Sequence, residues 1–284
     1  MDRRELLLTL PAVGLAAATA GAGEKDPIVV VIMDPLAAPL SCPCVKGYAQ
    51  RDYDKLGAYI SKKVGRPVHV HYSETLAGSL LKKTDGKADV IIGKDSVIRA
   101  EAKLNKLEVT HVAALTGKDG STTQKGLIVV PKDDPAKTVE DLKGYKIVFG
   151  PSTADEKYSA AMALLKDLGV PIPAKLETCS ACSDGATTVL ELHKNGEKAA
   201  TVISSYAQPL LEGCGTIKKG DLRVVGETDP VPFVAAFVTG RLSGVDRDAV
   251  KAALLEIGKD KDLCVALETK DGFVTPPTDG AKKK

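Results

Sequence analysis

Short strand-like runs alternate with longer amphipathic stretches along most of the chain. Apolar runs rich in β-branched residues and bounded by turn signals are typical of strands buried on both faces. In the N-terminal part, predicted strands cover 28–32, 68–72, 88–92 and 109–115. Predicted helices lie between them at 48–64, 75–83 and 96–105. This order of elements predicts a βαβ series wound around a parallel sheet.

The pattern breaks at a polar segment, residues 116–125, and then starts again. This segment contains Gly117, Gly120 and several hydroxyl side chains, which is a composition typical of a loop. The second series has predicted strands at 127–131, 146–149, near Leu176, 200–203 and 222–225, and predicted helices at 154–168 and 187–194. After the proline-containing segment 229–232, a strand at 233–238 and a helix at 246–257 are predicted to return to the first unit.

Two alternating series predict two lobes joined by two crossings. A chain of this length is large for one core and more natural as two units. We predict an α/β protein in which each lobe is a doubly wound, mostly parallel sheet flanked by helices. Lobe 1 would contain 26–118 and 228–284, and lobe 2 would contain 119–227. Two crossings make a hinge, which we expect near 116–126 and 226–232, and leave a cleft between the lobes.

The first 22 residues have the features of a cleavable signal peptide. Arg3 and Arg4 precede an apolar run from Leu6 to Ala20 that ends in small residues. The run is shorter than the roughly 20 residues that a spanning helix needs, and no other apolar stretch approaches that length. We therefore predict a periplasmic or extracytoplasmic protein that does not span the membrane. The arginine pair also resembles a twin-arginine signal, which leaves the export route open.

Charge and composition exclude several classes of partner. The formal net charge is +2, and we expect no nucleic-acid partner because the sequence has no basic stripe. Aromatic residues make up 4% of the chain and tryptophan is absent, which leaves little for stacking sugars or enclosing quaternary amines. The sequence has no G-x-S-x-G, P-loop or H-E-x-x-H motif, so we do not predict an enzyme. A small ligand bound locally fits this composition best.

Several short segments resemble the phosphate, phosphite and phosphonate solute-binding proteins of ABC importers, in the same order along the chain. The matching segments are YISKKVGRPV (59–68), GKADV (86–90), LIVVP (127–131), VEDLKG (139–144), GPST (150–153) and DPVP (229–232). The resemblance implies a two-lobed type II periplasmic-binding fold with a small oxyanion as ligand. It also implies that the permease of an ABC transporter is the partner, and that ligand loops lie at the carboxyl ends of strands.

Loop residues at predicted strand ends are the candidate ligand contacts. These are Tyr72, Ser73, Gly93, Lys94, Ser152, Thr153, Ser204, Ser205 and Tyr206. Ser152 and Thr153 follow a strand and open a predicted helix, where hydroxyl and backbone N–H groups can meet an anion. Thr153 and Glu156 also have the spacing of a capping box, which would instead satisfy the first turn of that helix. Lys94 can supply a charge-assisted contact.

Six cysteines support an alternative function. Cys42 and Cys44 follow the first strand, and Cys179 and Cys182 precede a predicted helix, so the two pairs can face each other across the cleft. Four thiolates with this spacing suit Cu(I) or Zn(II). Disulfides, which are common in exported proteins, are a second explanation of the cysteines. A third interpretation is a thiol-redox role. A metal-binding or thiol-redox protein on the same fold is therefore the alternative.

Overall fold

The computed structural model describes residues 26–41 and 50–276. The predicted signal peptide, together with Cys42 and Cys44, lies outside these residues. Strands β1 to β13 are, in chain order, Ile28–Met33, Val68–Tyr72, Val90–Lys94, Val109–Leu115, Thr123–Gln124, Gly126–Pro131, Lys146–Phe149, Glu177–Thr178, Ala199–Ser204, Leu222–Glu227, Val231–Pro232, Val234–Thr239 and Phe273–Val274.

The helices alternate with these strands. Helices α1 to α8 are Tyr53–Val64, Leu76–Lys82, Asp95–Leu104, Ser159–Asp167, Cys182–Lys194, Ala207–Gly213, Gly244–Glu256 and Lys261–Ala266. Within residues 26–41 and 50–276, the short 3₁₀ helices are Glu140–Leu142, Asp155–Lys157 and Ile257–Lys259. Within the described residues, no helix combines the length and the apolar character needed to cross a bilayer.

The first sheet has six strands in the order β13-β4-β12-β3-β1-β2. β1 is apolar on both faces, because its alternate residues enter different cores. Ile28 and Ile32 pack with residues of α1, α7 and α8 on one face. Val31 and Met33 pack with residues of α2 and α3 on the other face. Helices therefore cover both sides of this sheet, as the continuous apolar runs predict.

The second sheet has five strands in the order β10-β6-β9-β7-β8. Residues of α4, including Ala161 and Leu165, pack on one face. Residues of α5 and α6, including Val189 and Leu211, pack on the other face. The second half of the chain thus repeats the three-layer arrangement of the first half.

Strand pairing is more mixed than the mostly parallel sheets that we expect from the sequence. Parallel pairing joins β1 to β2 and β3, and β7 to β8 and β9. By contrast, β6 and β12 are antiparallel to both of their neighbours. Each of these strands directly follows a crossing between the sheets. A crossing segment reaches a sheet at its cleft edge, where the parallel strands end, so the strand that follows must run in the opposite direction.

The two crossings pair with each other. β5 lies in the first crossing and β11 in the second, and they form a separate antiparallel ribbon with Gln124 opposite Val231. The second crossing is also tied to the first by Thr228, whose backbone N–H donates to the Gly126 carbonyl oxygen at 2.9 Å. Both segments fall within the predicted hinge ranges, and their role as a hinge stays a prediction.

Candidate functional site

Charged and hydroxyl side chains from both sheets meet where their strands end. Lys94 is the last residue of β3, and Ser204 is the last residue of β9. The Lys94 Nζ contacts Glu156 Oε1 as an ion pair, and the Ser204 hydroxyl donates to the same oxygen at 2.7 Å. All three side chains are buried, and Glu156 has no exposed surface. We refer to Lys94, Glu156, Ser204 and the neighbouring Lys157 as the interlobe cluster.

Glu156 reaches this position because the chain after β7 does not enter a regular helix at once. The predicted helix at 154–168 divides into the 3₁₀ helix Asp155–Lys157 and α4, which begins at Ser159. Ala154, not Thr153, precedes the 3₁₀ helix, and no side chain caps it. The predicted capping box is therefore wrong, since the Glu156 carboxylate binds Lys94 and Ser204 instead.

Gly126 permits this close approach. A Cβ atom at Gly126 would lie 1.9 Å from the Glu156 carbonyl oxygen. The Gly126 backbone N–H donates to the Thr228 hydroxyl at 2.8 Å. The start of β6, the second crossing and the turn that carries Glu156 and Lys157 are therefore packed backbone to backbone.

The environment of Glu156 favours its charged form. Burial alone would raise the pKa of this carboxyl, but the attraction of Lys94 and the hydrogen bonds from Lys94 and Ser204 outweigh it and hold the pKa below the ordinary value of 4.5. The second carboxylate oxygen, Oε2, is buried and has no hydrogen-bond partner within the described part of the chain. One lone-pair site on a buried anion is thus unfilled.

Lys157 adds a second positive charge to the cluster. Its side chain is 6% exposed and packs over Gly150, where an added Cβ would lie 2.6 Å from the Lys157 Cβ. Lys157 is close enough to Glu156 to lower the pKa of that carboxyl. Among residues 26–41 and 50–276, however, no carboxylate forms an ion pair with Lys157. The two ammonium groups and one carboxylate of the cluster carry one net positive charge.

Ser152 and Thr153 lie beside the cluster on the loop after β7. Ser152 is exposed and Thr153 is half-buried. The loop is held against the first sheet by Ser96, whose hydroxyl donates to the Thr153 carbonyl oxygen at 2.8 Å and accepts from the Asp155 N–H at 3.3 Å. The hydroxyl groups of Ser152 and Thr153 make no hydrogen bond within the described residues. They are therefore available to a ligand.

A cavity of about 490 Å³ opens beside the cluster, between the two sheets and against the crossings. Tyr206 links it to the cluster, because Lys94 Nζ lies 5.9 Å from the centre of the Tyr206 ring. The same ring stacks on Phe233 of the second crossing, with centroids 5.2 Å apart. Further lining residues come from both lobes and the first crossing: Leu36, Arg51, Lys118, Asp119, Ser121, Gln124, Ser205, Leu210 and Glu268.

Arg51 is held rigidly in the wall of this cavity. Its Nη1 donates to Asp34 Oδ2 at 2.8 Å, and its Nε donates to the Leu267 carbonyl oxygen at 3.1 Å. The Tyr53 hydroxyl also donates to Asp34 Oδ2, at 2.6 Å. Burial and the neighbouring Asp34 raise the pKa of Tyr53. Asp34 therefore balances the charge of Arg51, whose guanidinium lies 5.3 Å from the centre of the Phe233 ring.

Comparison with known families agrees with this geometry. The family model described as "ABC transporter, phosphonate, periplasmic substrate-binding protein" matches residues 47–279, which is most of the chain. The chain belongs to this family of phosphonate-binding proteins. None of the curated proteins matches the sequence.

Solved structures of this family and its neighbours have the same fold. A Xanthomonas citri protein bound to ATP is 16% identical, with a TM-score of 0.65 over 89% of this chain and 92% of that one. A binding-protein component of an ABC phosphonate transporter from Pseudomonas aeruginosa is 14% identical, with a TM-score of 0.64 over 90% and 83%. PhnD1 from Prochlorococcus marinus in complex with methylphosphonate is 12% identical, with a TM-score of 0.62 over 88% and 93%.

Family membership confirms the main predictions from the sequence. The fold is the type II periplasmic-binding fold of mixed α/β architecture. The protein is a periplasmic substrate-binding component of an ABC importer, not an enzyme, and its partners are a small ligand and the transporter permease. The division into lobes at residues 119 and 227 stays a prediction, as do the ligand contacts of individual residues.

The predicted site residues of this family member divide into two groups. Lys94 and Ser204 lie in the interlobe cluster, Ser152 and Thr153 lie beside it, and Ser205 and Tyr206 line the cavity. Tyr72, Ser73 and Gly93 instead make contacts within lobe 1. The Tyr72 hydroxyl donates to Asp54 Oδ1 at 2.9 Å, the Ser73 hydroxyl donates to the Thr75 carbonyl oxygen at 2.8 Å, and Gly93 packs against the Met33 backbone.

The described cysteines give no support to the metal or thiol-redox alternative. Cys179, Cys182, Cys214 and Cys264 are free of disulfides. No group of three or more metal-ligating side chains occurs within residues 26–41 and 50–276. Burial raises the pKa of Cys179, which favours a neutral thiol over the thiolate that binds metal or reacts. The predicted Cu or Zn site also needs Cys42 and Cys44, which lie outside the described residues.

Sequence reasoning missed several residues that form this site. From the sequence, Glu156 is predicted only as part of a helix cap. Lys157, Gln124 and Phe233 are not among the predicted site residues. The signal for Lys157 was present, since a lysine four residues after Thr153, the last residue of the candidate anion loop, is a natural ligand group. The signal for Gln124 was weaker, because an amide in a polar crossing segment is indistinguishable from a solvated loop residue.

Proposed function

We propose that this protein captures a small ligand with a phosphonate-like oxyanion between the two lobes and delivers it to the permease of an ABC importer. The head group of the ligand would lie against the interlobe cluster. Ser152, Thr153, Lys94 and Lys157 would be its contacts. The supporting observation is the net positive charge of the cluster, which is carried by Lys157.

A positive charge on a largely buried residue is costly when no carboxylate pairs with it, because burial removes part of its hydration without replacing it. Lys157 is buried, and Glu156 is already bound to Lys94 and Ser204. A bound anion would restore neutrality. It would also take hydrogen bonds from the Ser152 and Thr153 hydroxyls, which have no other acceptor within the described residues.

The free oxygen of Glu156 favours a singly protonated oxyanion. Such an anion carries one negative charge, which balances the cluster, and one O–H group, which can donate a hydrogen bond. Glu156 Oε2 is a buried acceptor without a partner in the described part of the chain. A hydrogen bond from an O–H donor would fill this acceptor site without adding charge. The monoanions of phosphonates, phosphite and phosphate monoesters all have this chemistry, whereas the phosphate monoanion has a second O–H group.

Two of the structurally similar proteins were solved with ligands that carry phosphorus oxyanions, namely methylphosphonate and ATP. These ligands belong to those proteins, and the sequence identities are low. They support the proposal only in showing that this fold accommodates a phosphorus oxyanion.

Calorimetric titration with methylphosphonate, phosphite and phosphate tests the proposal. We expect Lys157→Met to weaken binding of the preferred anion at least about tenfold, since a charge-assisted contact is lost. The same change should leave thermal stability equal or higher, because a charge without a carboxylate partner is removed from a largely buried residue. Lys175→Met, at an exposed lysine, is the matched control. Unchanged binding in Lys157→Met, or no binding of any oxyanion to the unmodified protein, would overturn the proposal.

We also propose that residues 1–22 direct export and are then removed, by a twin-arginine route if the Arg3-Arg4 pair is essential. The family is periplasmic, so a cleavable export signal is expected at the N-terminus. Mass spectrometry of the protein recovered from the periplasm should give a mature chain that begins close to residue 23. Replacing both arginines with lysine should block export only if the twin-arginine route is used. Recovery of the intact chain from the periplasm would contradict the cleavage.

A further inference from the structure

We propose that the 490 Å³ cavity beside the interlobe cluster holds an uncharged substituent of the ligand, with an apolar body and a carboxamide-like group that pairs with Gln124. This assignment rests on the proposed function, which places the oxyanion at the cluster. It adds a ligand class, a phosphonate or phosphate monoester with an amide-bearing substituent.

Gln124 carries the argument. Its side chain is 4% exposed, and it is one of the residues that line the cavity. Neither its Nε2 nor its Oε1 has a hydrogen-bond partner within the described residues. A buried amide that lacks both a donor partner and an acceptor partner is costly, so native proteins seldom retain one without a reason. A ligand amide offers the complementary acceptor and donor in one plane.

The size of the cavity indicates that the ligand is larger than a simple oxyanion. Pockets of roughly 300–1,000 Å³ generally hold drug-sized molecules, and a methylphosphonate would leave most of 490 Å³ unfilled. Tyr206 and Phe233 supply an apolar wall between the cluster and the crossings. A substituent extending from the oxyanion past Tyr206 would therefore enter apolar surroundings before it reaches Gln124.

The charges of the cavity indicate that this part of the ligand is uncharged. Arg51 is balanced by Asp34, and Lys118 forms an ion pair with Glu268. Asp119 is the other charged residue of the lining, and it is exposed to solvent. The net positive charge lies in the interlobe cluster, so an anionic group favours the cluster and a neutral one favours the cavity.

Gln124 can gain a new partner when the lobes move. It lies on β5, in the first crossing, where a rotation of the lobes changes the surroundings of its side chain. Both amide atoms have almost no exposed surface in the present arrangement. Ligand entry therefore requires the lobes to separate, after which they can close with the substituent against Gln124.

Three ligands of increasing size test this assignment by calorimetry: methylphosphonate, phenylphosphonate and 4-carbamoylphenylphosphonate. We expect affinity to rise at each step, because the ring contacts the apolar wall and the amide pairs with Gln124. The variant Gln124→Met should lose the gain from the carbamoyl group, about tenfold, and bind phenylphosphonate as the unmodified protein does. Gln208→Met is the matched control, since the Gln208 amide already donates to Glu212 and lies outside the cavity.

Thermal unfolding separates ligand recognition from a structural role of Gln124. If Gln124 serves the ligand, Gln124→Met should keep or raise the melting temperature of the free protein, because an unpaired buried amide is replaced by an apolar side chain. A lower melting temperature with equal loss for all three ligands would overturn the assignment, as would equal affinity for phenylphosphonate and its carbamoyl derivative. If only methylphosphonate binds, this assignment fails and the proposed function stands. If none binds, both fail.

Discussion

At the scale of single residues, Lys94 and Glu156 are the strongest test of the interlobe cluster. Lys94→Met should destabilise the protein by about 3 kcal/mol, because it leaves a fully buried carboxylate without its cation. Adding Glu156→Gln should recover much of that loss, since the unpaired charge is then removed. Urea unfolding of the single and double variants measures this coupling.

An exposed ion pair provides the control for this experiment. Lys63 Nζ lies 2.7 Å from Glu256 Oε2, and both side chains are largely exposed. Lys63→Met should cost less than about 1 kcal/mol, as exposed pairs generally do. Additive effects of Lys94→Met and Glu156→Gln would show that the buried pair does not form.

The depressed pKa of Glu156 gives a pH dependence with a definite sign. A carboxyl whose pKa is lower in the folded state than in the unfolded state stabilises the fold above its unfolded pKa, here 4.5. That contribution is lost as the pH falls through the depressed pKa of the folded state. The difference in unfolding free energy between the unmodified protein and Glu156→Gln should be constant near neutral pH and shrink below 4.5. A difference that grows with acidification would contradict this assignment.

At the scale of elements, the alternation of apolar runs and amphipathic stretches was enough to predict most strands and helices. The predicted strands 68–72, 109–115 and 146–149 coincide with β2, β4 and β7. β7 and the second half of β4 are buried on both faces, which explains their apolar runs, whereas the residues of β2 are only partly buried or exposed. The direction of β6 and β12 was not predictable in the same way, because it depends on which edge of a sheet the crossing reaches.

Helix starts near the site were less predictable, because side-chain contacts decide them. The helix predicted from residue 187 begins at Cys182, since the Asp184 carboxylate accepts from the Ala181 N–H at 3.1 Å and from the Ser180 hydroxyl at 2.6 Å. At Asp184 a local side-chain contact starts the helix earlier. At Glu156 a distant contact prevents a regular helix, because the carboxylate binds Lys94 of the other lobe. Contacts between distant segments are not encoded in local periodicity.

Gly126 offers a test at the scale of elements. Gly126→Ala should push the turn that carries Glu156 and Lys157 away from β6, because its Cβ would overlap the Glu156 carbonyl oxygen. We expect a loss of about 1–3 kcal/mol in stability, the usual cost of overpacking, and a parallel loss of methylphosphonate binding. Chemical unfolding and calorimetry measure the two effects.

The control for this substitution is Gly213→Ala. No atom lies within 4 Å of a Cβ placed at Gly213, which is the last residue of α6. Alanine there should be neutral or slightly stabilising, because it has the higher helix propensity. If Gly126→Ala behaves like Gly213→Ala in both measurements, the close packing of the turn is not needed for the site.

At the scale of the whole molecule, the two sheets contact each other across the cleft as well as through the crossings. Lys94 and Ser96 come from the end of β3 and the start of α3, and their partners Glu156 and Thr153 come from the loop after β7. These contacts join the two lobes directly across the cleft. A ligand that occupies the cluster must therefore compete with these contacts or bind after they separate. Part of the binding free energy is then used to change the arrangement of the lobes.

It follows that removing the ion pair across the cleft should open the lobes even without a ligand. In the absence of ligand, the Lys94→Met and Glu156→Gln double variant should have a larger radius of gyration by small-angle scattering than the unmodified protein, because the buried ion pair across the cleft is gone. Saturating methylphosphonate should bring both proteins to the same radius if the variant still binds, since the crossings at β5 and β11 remain intact. Lys63→Met, within lobe 1, should leave the radius unchanged. Identical radii for the unmodified protein and the double variant without ligand would mean that the crossings alone fix the arrangement of the lobes and that the ion pair does not control opening.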